Sequence, residues 1–246
     1  MKAMVLAAGL GTRLQPLTDH KPKALVEVGG RTLLQITLGR LRAAGVSEVI
    51  INVHHFAEMV LDYLRLNNNF GMGIEISRED LLLDTGGGLK KAGWFFTHGG
   101  NDEPFILHNV DVITAIDLGR MVERHRQSGA LSTLGVQERE TSRYLLFDER
   151  MQLCGRRAGR DGAPEMVRPE PEASAFAFTG IHVICPRMIP MMTEDGVFSI
   201  IPTYLRLAGA GEKIFGFRAD EYYWRDLGKL SQLQQAEEDW RRKRFV

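Results

Sequence analysis

Short apolar runs of β-favouring residues alternate, through the first half of the chain, with stretches in which apolar positions recur every three to four residues. The pattern predicts a strand over Ala3 to Ala7, then a helix carrying Leu33, Leu34, Ile36, Leu38, Leu41 and Ala44 on its buried side. Val49 to Val53 reads as a buried strand, Met59 to Leu66 as a helix, Ile74 to Ile76 as a short strand and Phe105 to Leu107 as another buried strand. Strands that are apolar on both faces and separated by helices predict an α/β fold with a mostly parallel, doubly wound sheet. Ligands of such sheets gather at the carboxyl ends of the strands, so the loops there are the ones to read for chemistry.

The texture changes after about residue 140. Tyr144 to Phe147 and Met151 to Leu153 flank Asp148-Glu149-Arg150, which predicts a hairpin. Gly155 to Ala173 mixes Gly, Pro, Arg and Glu without a period and predicts a mobile loop over a small β-rich lobe. Phe176 to Ile184 returns to strand, and Leu230 to Arg242 reads as a terminal helix. The chain is thus predicted as one domain: a parallel part over about 1–140, a β-rich part over about 141–228 and a closing helix over about 229–244.

Composition narrows the function. With 246 residues, 44% hydrophobic and 25% charged, the chain has material for one large core. Lys plus Arg and Asp plus Glu number 31 each, so no overall field draws it to nucleic acid or to an anionic membrane. Any anion must be met locally. The start, Met1 to Gly9, is too brief in its apolar run for a signal sequence or a membrane span, which predicts a cytoplasmic protein. Cys154 and Cys185 alone can make neither a disulfide framework nor a Cys-rich zinc site.

Directly after the first strand comes Gly9-Leu10-Gly11-Thr12-Arg13-Leu14, where glycines let the backbone turn tightly and aim several N–H groups at one point. Such a nest suits phosphate. It lacks the Gly-Lys-Ser/Thr ending of a P-loop, and Leu14 stands where a dinucleotide fold needs its third glycine. The loop continues through Pro16-Leu17-Thr18 and Lys21-Pro22-Lys23-Ala24-Leu25, two prolines stiffening a segment that carries Arg13 and Lys23. These residues resemble the sugar-1-phosphate nucleotidyltransferase family, whose opening pattern Leu-Ala-Ala-Gly-x-Gly-Thr-Arg-Leu, Pro-Leu-Thr, Pro-Lys-x-Leu is matched by Leu6 to Leu14, Pro16 to Thr18 and Pro22 to Leu25. The resemblance implies a Rossmann-like fold in which Leu6, Ala7, Ala8, Gly9, Gly11 and Thr12 line the nucleotide, Arg13 grips the triphosphate and Lys23 neutralises phosphate charge at the reacting centre.

A nucleoside triphosphate and a sugar phosphate are both anionic, so their reaction calls for a divalent cation, and Mg2+ takes one or two carboxylates plus phosphate oxygens. Asp111 follows a buried strand in His108-Asn109-Val110-Asp111, resembling the family's Asn-Gly-Asp with valine in place of glycine. Asp226 in Trp224-Arg225-Asp226-Leu227-Gly228 resembles the family's Trp-x-Asp-Ile/Val-Gly and is predicted to return late in the chain and share the metal. Asp117 reads as a helix cap. No side-chain base is needed, because a sugar phosphate is largely ionised at neutral pH, its second pKa being about 6. His54-His55 carries no zinc-site spacing and reads as a polar loop.

Asp84-Thr85-Gly86-Gly87-Gly88 precedes a helical pattern over Leu89 to Trp94, and its glycines predict close approach of a flat ligand. In the resembled family this loop packs on the nucleobase, which assigns Thr85, Gly86 and Gly87 to the nucleotide. Glu79, in Ser77-Arg78-Glu79, reads either as an acceptor for a base N–H or as part of a solvated charge run. Its Thr-Gly-Gly-Gly form is most similar to the uridylyltransferases of N-acetylmuramic acid 1-phosphate. Phe178-Thr179-Gly180-Ile181 also fits the family, which implies that Thr179 and Gly180, with Asn109, line the sugar pocket. Several relatives carry a Glu-Lys pair before this strand, the lysine holding the sugar phosphate; here Arg156, Arg157, Arg160 and Arg168 are the substitutes available.

The sequence therefore predicts a Mg2+-dependent transfer of a nucleotidyl group from a nucleoside triphosphate to a sugar 1-phosphate, by a monomer or small homo-oligomer. UTP with N-acetylmuramic acid 1-phosphate is the leading pair. Mannose- or heptose-1-phosphate guanylyl transfer, or another phosphorylated acceptor, is the alternative within the class. A non-catalytic nucleotide-sugar sensor is the alternative outside it.

Overall fold

The computed structural model describes residues 1–98 and 102–244. Strand β1 (Lys2–Leu6) leads through the glycine loop and two short 3-10 turns, Thr12–Leu14 and Lys23–Leu25, to a small hairpin of β2 (Glu27–Val28) and β3 (Arg31–Thr32). Next come α1 (Leu33–Ala43), β4 (Glu48–Val53), α2 (Ala57–Leu66) and β5 (Gly73–Arg78). Helices α3 (Asp84–Ala92) and α4 (Trp94–Thr97) precede β6 (Phe105–Asn109), β7 (Val112–Thr114) and α5 (Leu118–Ser128). The second half comprises β8 (Ser132–Gln137), β9 (Arg143–Phe147), β10 (Leu153–Ala158), β11 (Pro164–Met166), β12 (Ser174–Ile184), α6 (Ile200–Gly209), β13 (Ile214–Arg218), β14 (Trp224–Asp226) and α7 (Leu230–Arg241).

The elements form for local reasons. Helix α1 starts where the Thr32 side chain accepts from Gln35 N at 3.0 Å, and it buries Leu33, Leu34, Leu38 and Leu41 completely. Each such side chain contributes about 1.5–3 kcal/mol on leaving water. Helix α5 starts at Asp117, whose carboxylate accepts from Arg120 N at 2.9 Å, so this aspartate is a cap. It ends at Gly129 in the left-handed region, φ 61°.

Strands β5, β4, β1 and β6 lie side by side and parallel, with Leu6 at the end of β1 opposite Asn52 on one side and Asn109 on the other. That register gathers the carboxyl ends of three strands at one edge. Strand β12 runs antiparallel to β6, and β9, β10 and β11 extend the same sheet beyond it. The β-rich part is thus continuous with the parallel part. Two cores flank the sheet, one holding Leu34, Leu38 and Ile51 and the other Leu89, Phe105 and Tyr204.

The loop predicted over Gly155 to Ala173 is partly a hairpin of β10 and β11. Gly155 allows it, since a Cβ there would sit 2.6 Å from Glu165 O, and Arg156 pairs with Glu165 across the strands at 2.6 Å. No helix among the described residues is long and apolar enough to cross a membrane.

Candidate active site

The glycine loop hangs from β1 on a buried polar chain. Asn52 Oδ1 accepts from Ala7 N at 2.7 Å, Asn52 Nδ2 donates to Glu79 Oε1 at 2.7 Å, and Glu79 Oε2 accepts from Leu83 N at 2.9 Å. Asn52 and Glu79 are 3% and 4% exposed, so the chain is shielded from water and worth more than a surface network. Gly11 turns in the left-handed region at φ 67°, and its carbonyl accepts from Leu14 N and from the Thr18 hydroxyl. The N–H groups of Ala8, Gly9, Leu10, Gly11 and Thr12 meet no acceptor among the described residues. Gly9, Leu10 and Thr12 are exposed, and a run of unengaged amides of this kind is able to hold an anion.

Pro22 starts the 3-10 turn that carries Lys23 inward, where its ammonium meets Asp111 Oδ2 at 2.5 Å. Asp111 sits in the turn between β6 and β7, and β7 pairs with β14 so that Val112 stands opposite Asp226. Leu227 N donates to Asp111 O at 2.8 Å, closing that ladder beside both aspartates. Arg13 is exposed and its guanidinium lies over Gly228, where a Cβ would be 2.6 Å from Nη2 and 3.1 Å from Asp226 Oδ1. The structure therefore brings Arg13, Lys23, Asp111 and Asp226 to one place.

Asp226 is the strained member. Burial pushes its carboxyl above the usual range, the Asp111 charge pushes it further, and Lys23 and Arg13 offset only part of this. Its Oδ1 is buried and without a hydrogen-bond partner. The Asn109 Oδ1 at the end of β6 is equally bare, and each such group costs roughly 1–3 kcal/mol if left unmet. Two repelling carboxylates with an orphaned oxygen make a hard oxygen donor set, and they fit a magnesium ion. Val110 takes no left-handed φ and packs in the core, so the departure from glycine leaves Asp111 in place.

Two predicted contacts are relocated. Glu79 is a buried brace with both oxygens engaged, not an open acceptor for a base N–H. Thr179 is fully buried and its hydroxyl donates to Gly135 O at 2.8 Å, so it does not face a sugar. Gly180 packs against Asn109: φ is 80°, and a Cβ would press on Asn109 Nδ2 at 2.8 Å.

The triple glycine opens α3 instead of forming a loop, and the protein itself fills the space beside it. A Cβ on Gly86 would lie 2.4 Å from the Phe198 ring, one on Gly87 2.4 Å from Gly196 O, and one on Gly88 2.8 Å from Glu79 Oε1. Phe198 O already accepts from the Gly86 and Gly87 amides, and Thr85 Oγ1 accepts from Ile200 N. Close helix packing, not a flat ligand, accounts for these glycines.

Of the arginines offered as acceptor contacts, Arg156 pairs with Glu165, Arg160 with Glu140 at 3.1 Å and Arg168 with Asp148 at 3.9 Å, while Arg157 lies over the Tyr144 ring. Sequence reasoning missed Asn52, Arg139 and the role of Trp224. Asn52, a lone polar residue within the apolar run Val49 to Val53, was the available signal for the first.

The Nucleotidyl transferase family model matches residues 2–152. The chain is 36% identical to N-acetylmuramate alpha-1-phosphate uridylyltransferase of Caulobacter vibrioides, over 92% of this chain and 91% of the relative. It is 30% identical to the protein of the same description from Neisseria meningitidis, over 96% and 97%. A solved UDP-glucose pyrophosphorylase in complex with UDP-glucose superposes with a TM-score of 0.79 at 17% identity, covering 99% of both chains, and so shares the Rossmann-like fold. An anion nest, an arginine, a lysine and two aspartates meeting on that fold agree with the match: the chain belongs to the nucleotidyl transferase family and is a sugar-1-phosphate nucleotidyltransferase.

Proposed function

We propose that this enzyme makes a UDP-sugar and pyrophosphate from UTP and N-acetylmuramic acid 1-phosphate in the cytoplasm, with Mg2+ held by Asp111 and Asp226. The observation that carries the chemistry is the meeting of Lys23, Asp111 and Asp226 beside the bare amides of Ala8 to Thr12. The acceptor assignment is supported by two relatives of that description that match this chain over nearly their full length.

The amides and Arg13 hold the triphosphate tail, which becomes the leaving pyrophosphate. Asp111 and Asp226 would hold a magnesium ion, which would supply positive charge to offset the repulsion between two anionic substrates and to stabilise the departing pyrophosphate; the family is generally dependent on a divalent metal. Lys23 is nearly buried, so its charge is little screened where the α-phosphorus is attacked. Asn109, packed against Gly180 at the end of β6, carries the unmet Oδ1 that would accept from a sugar hydroxyl. The sugar phosphate arrives ionised, so positioning and fixed charge supply the rate.

Pyrophosphate release across UTP, GTP, CTP and dTTP with a panel of sugar 1-phosphates tests this reading. Turnover highest with UTP and N-acetylmuramic acid 1-phosphate is the expected result. Preference for another pair would overturn the substrate, and nucleotide binding without turnover by any pair would overturn the enzyme.

A further inference from the structure

Arg139 follows the end of β8, where sequence reasoning assigned nothing. Its guanidinium lies 3.8 Å over the Trp224 ring, and Nη2 donates to Phe178 O at 2.7 Å. Trp224 is fixed in turn, its indole N–H donating to Thr179 O at 2.8 Å. Along β14 side chains alternate, so Trp224 and Asp226 share a face while Arg225 turns away to Asp239. A cation stacked on Trp224 is therefore on the Asp226 side of the strand.

That cation is incompletely served. It is half-buried, Nε is buried without a partner, Nη1 has only a long contact to Glu140 O at 3.4 Å, and it forms no ion pair among the described residues. Burial pulls its pKa down, and the Asp226 charge is the main influence opposing this. A metal on Asp226 would weaken that compensation, leaving a half-buried cation on the Asp226 side of the strand without a counter-charge of its own. A dianion arriving at the metal restores the balance. Stacking on an aromatic ring holds a planar guanidinium in place in a way a lysine cannot reproduce.

We infer that Arg139, held flat on Trp224 beside Asp226, is the residue that receives the phosphate monoester of the sugar 1-phosphate acceptor. The inference rests on the nucleotidyl-transfer reading above and names the acceptor contact within it. Arg156 and Arg160 are paired with carboxylates and Arg157 lies over the Tyr144 ring, whereas Arg139 lies over Trp224, on the strand that carries Asp226.

Steady-state kinetics of Arg139→Gln and Arg139→Lys test it, with UTP, N-acetylmuramic acid 1-phosphate and Mg2+ each varied in turn. The expected result for Arg139→Gln is an acceptor KM raised about ten-fold or more, with the UTP KM and the Mg2+ requirement within about two-fold of wild type. Arg139→Lys falls between the two. An unchanged acceptor KM overturns the proposal. So does an equal rise in all three constants, which marks a brace for β14. Should Arg139→Gln fail to fold, Arg139→Lys carries the same comparison, a selective acceptor effect supporting the proposal and an even one overturning it. Wild-type enzyme that uses no sugar 1-phosphate at all overturns the nucleotidyl-transfer reading with it, and that result is seen before any variant is made.

Discussion

Leu227 N donates to Asp111 O at 2.8 Å, and this one backbone bond joins the turn after β6 to the segment that follows β14. Residues far apart in sequence thereby place two carboxylates together, with Lys23 bound to the first at 2.5 Å and the second left with a bare oxygen. An arrangement that costs stability and serves a ligand predicts opposite effects on folding and on turnover.

Asp226→Asn is therefore expected to lower kcat by about 100-fold or more while leaving thermal stability in metal-free buffer unchanged or raised, because it removes a partly buried charge repelled by Asp111. Calorimetric melting beside pyrophosphate release checks both halves. A variant that melts lower and works normally contradicts the account.

Glu79→Gln presents an amide N–H₂ where Asn52 Nδ2 and Leu83 N now donate, so one of those donors loses its acceptor. The Asn52 amide then holds Ala7 N less firmly. The nucleotide KM should rise roughly ten-fold with the acceptor KM little changed. A base contact by Glu79 would instead alter discrimination among nucleotides, which the same assay with four nucleotides reads.

Gly86→Ala drives a methyl into the Phe198 ring and its carbonyl, and overpacking of this kind costs about 1–3 kcal/mol. Urea unfolding measures it. Shortening the ring with Phe198→Leu should recover part of the loss in the double variant, and full additivity would show that the two do not touch.

His125 is buried at 4% exposure beside the Thr133 hydroxyl, and burial lowers its pKa from 6.5 to about 4. Between those values the unfolded chain binds the proton more readily, so the stability it contributes is complete above pH 6.5 and is lost as the pH falls towards 4. The loss amounts to about 3 kcal/mol at pH 4. Unfolding curves for His125→Gln should show a shallower decline over that window than wild type. Parallel curves would contradict the assignment.

Much of this was legible in the chain. Apolar runs such as Val49 to Val53 announced the parallel strands, and the dense motif from Leu6 to Leu25 identified the loop that carries Arg13 and Lys23. What misled were residues whose reason lies in tertiary packing. The glycines at 86–88 looked like room for a ligand, yet their space is taken by Phe198, Gly196 and Glu79, which no local pattern reveals. Thr179 looked polar and available, but β12 turns it towards Gly135 O. Arg139 was passed over because its partner Trp224 is distant in sequence and brought near only by the fold.

Helix α7 is a further case, since Leu230 to Arg242 read only as a terminal helix. Asp239 on this helix is fully buried and accepts from Tyr223 Oη, Arg225 and Arg244, while Trp240 packs against Gly29 in the hairpin that follows Lys23. Removing that carboxylate with Asp239→Asn leaves Arg225 short of its counter-charge and should cost about 3 kcal/mol, read by denaturant unfolding. A cost near zero would show that the helix does not secure β14.

The central claim is that Asp111 and Asp226 hold one divalent ion beside the triphosphate. Anomalous diffraction from crystals grown with Mn2+ and a non-hydrolysable UTP analogue tests it most directly. The account predicts a single strong peak between the two aspartates, with an oxygen of each at about 2.0–2.2 Å, and phosphate oxygens completing the shell. A peak bound elsewhere, or a triphosphate seated in the glycine loop with neither carboxylate touching the metal, would contradict it.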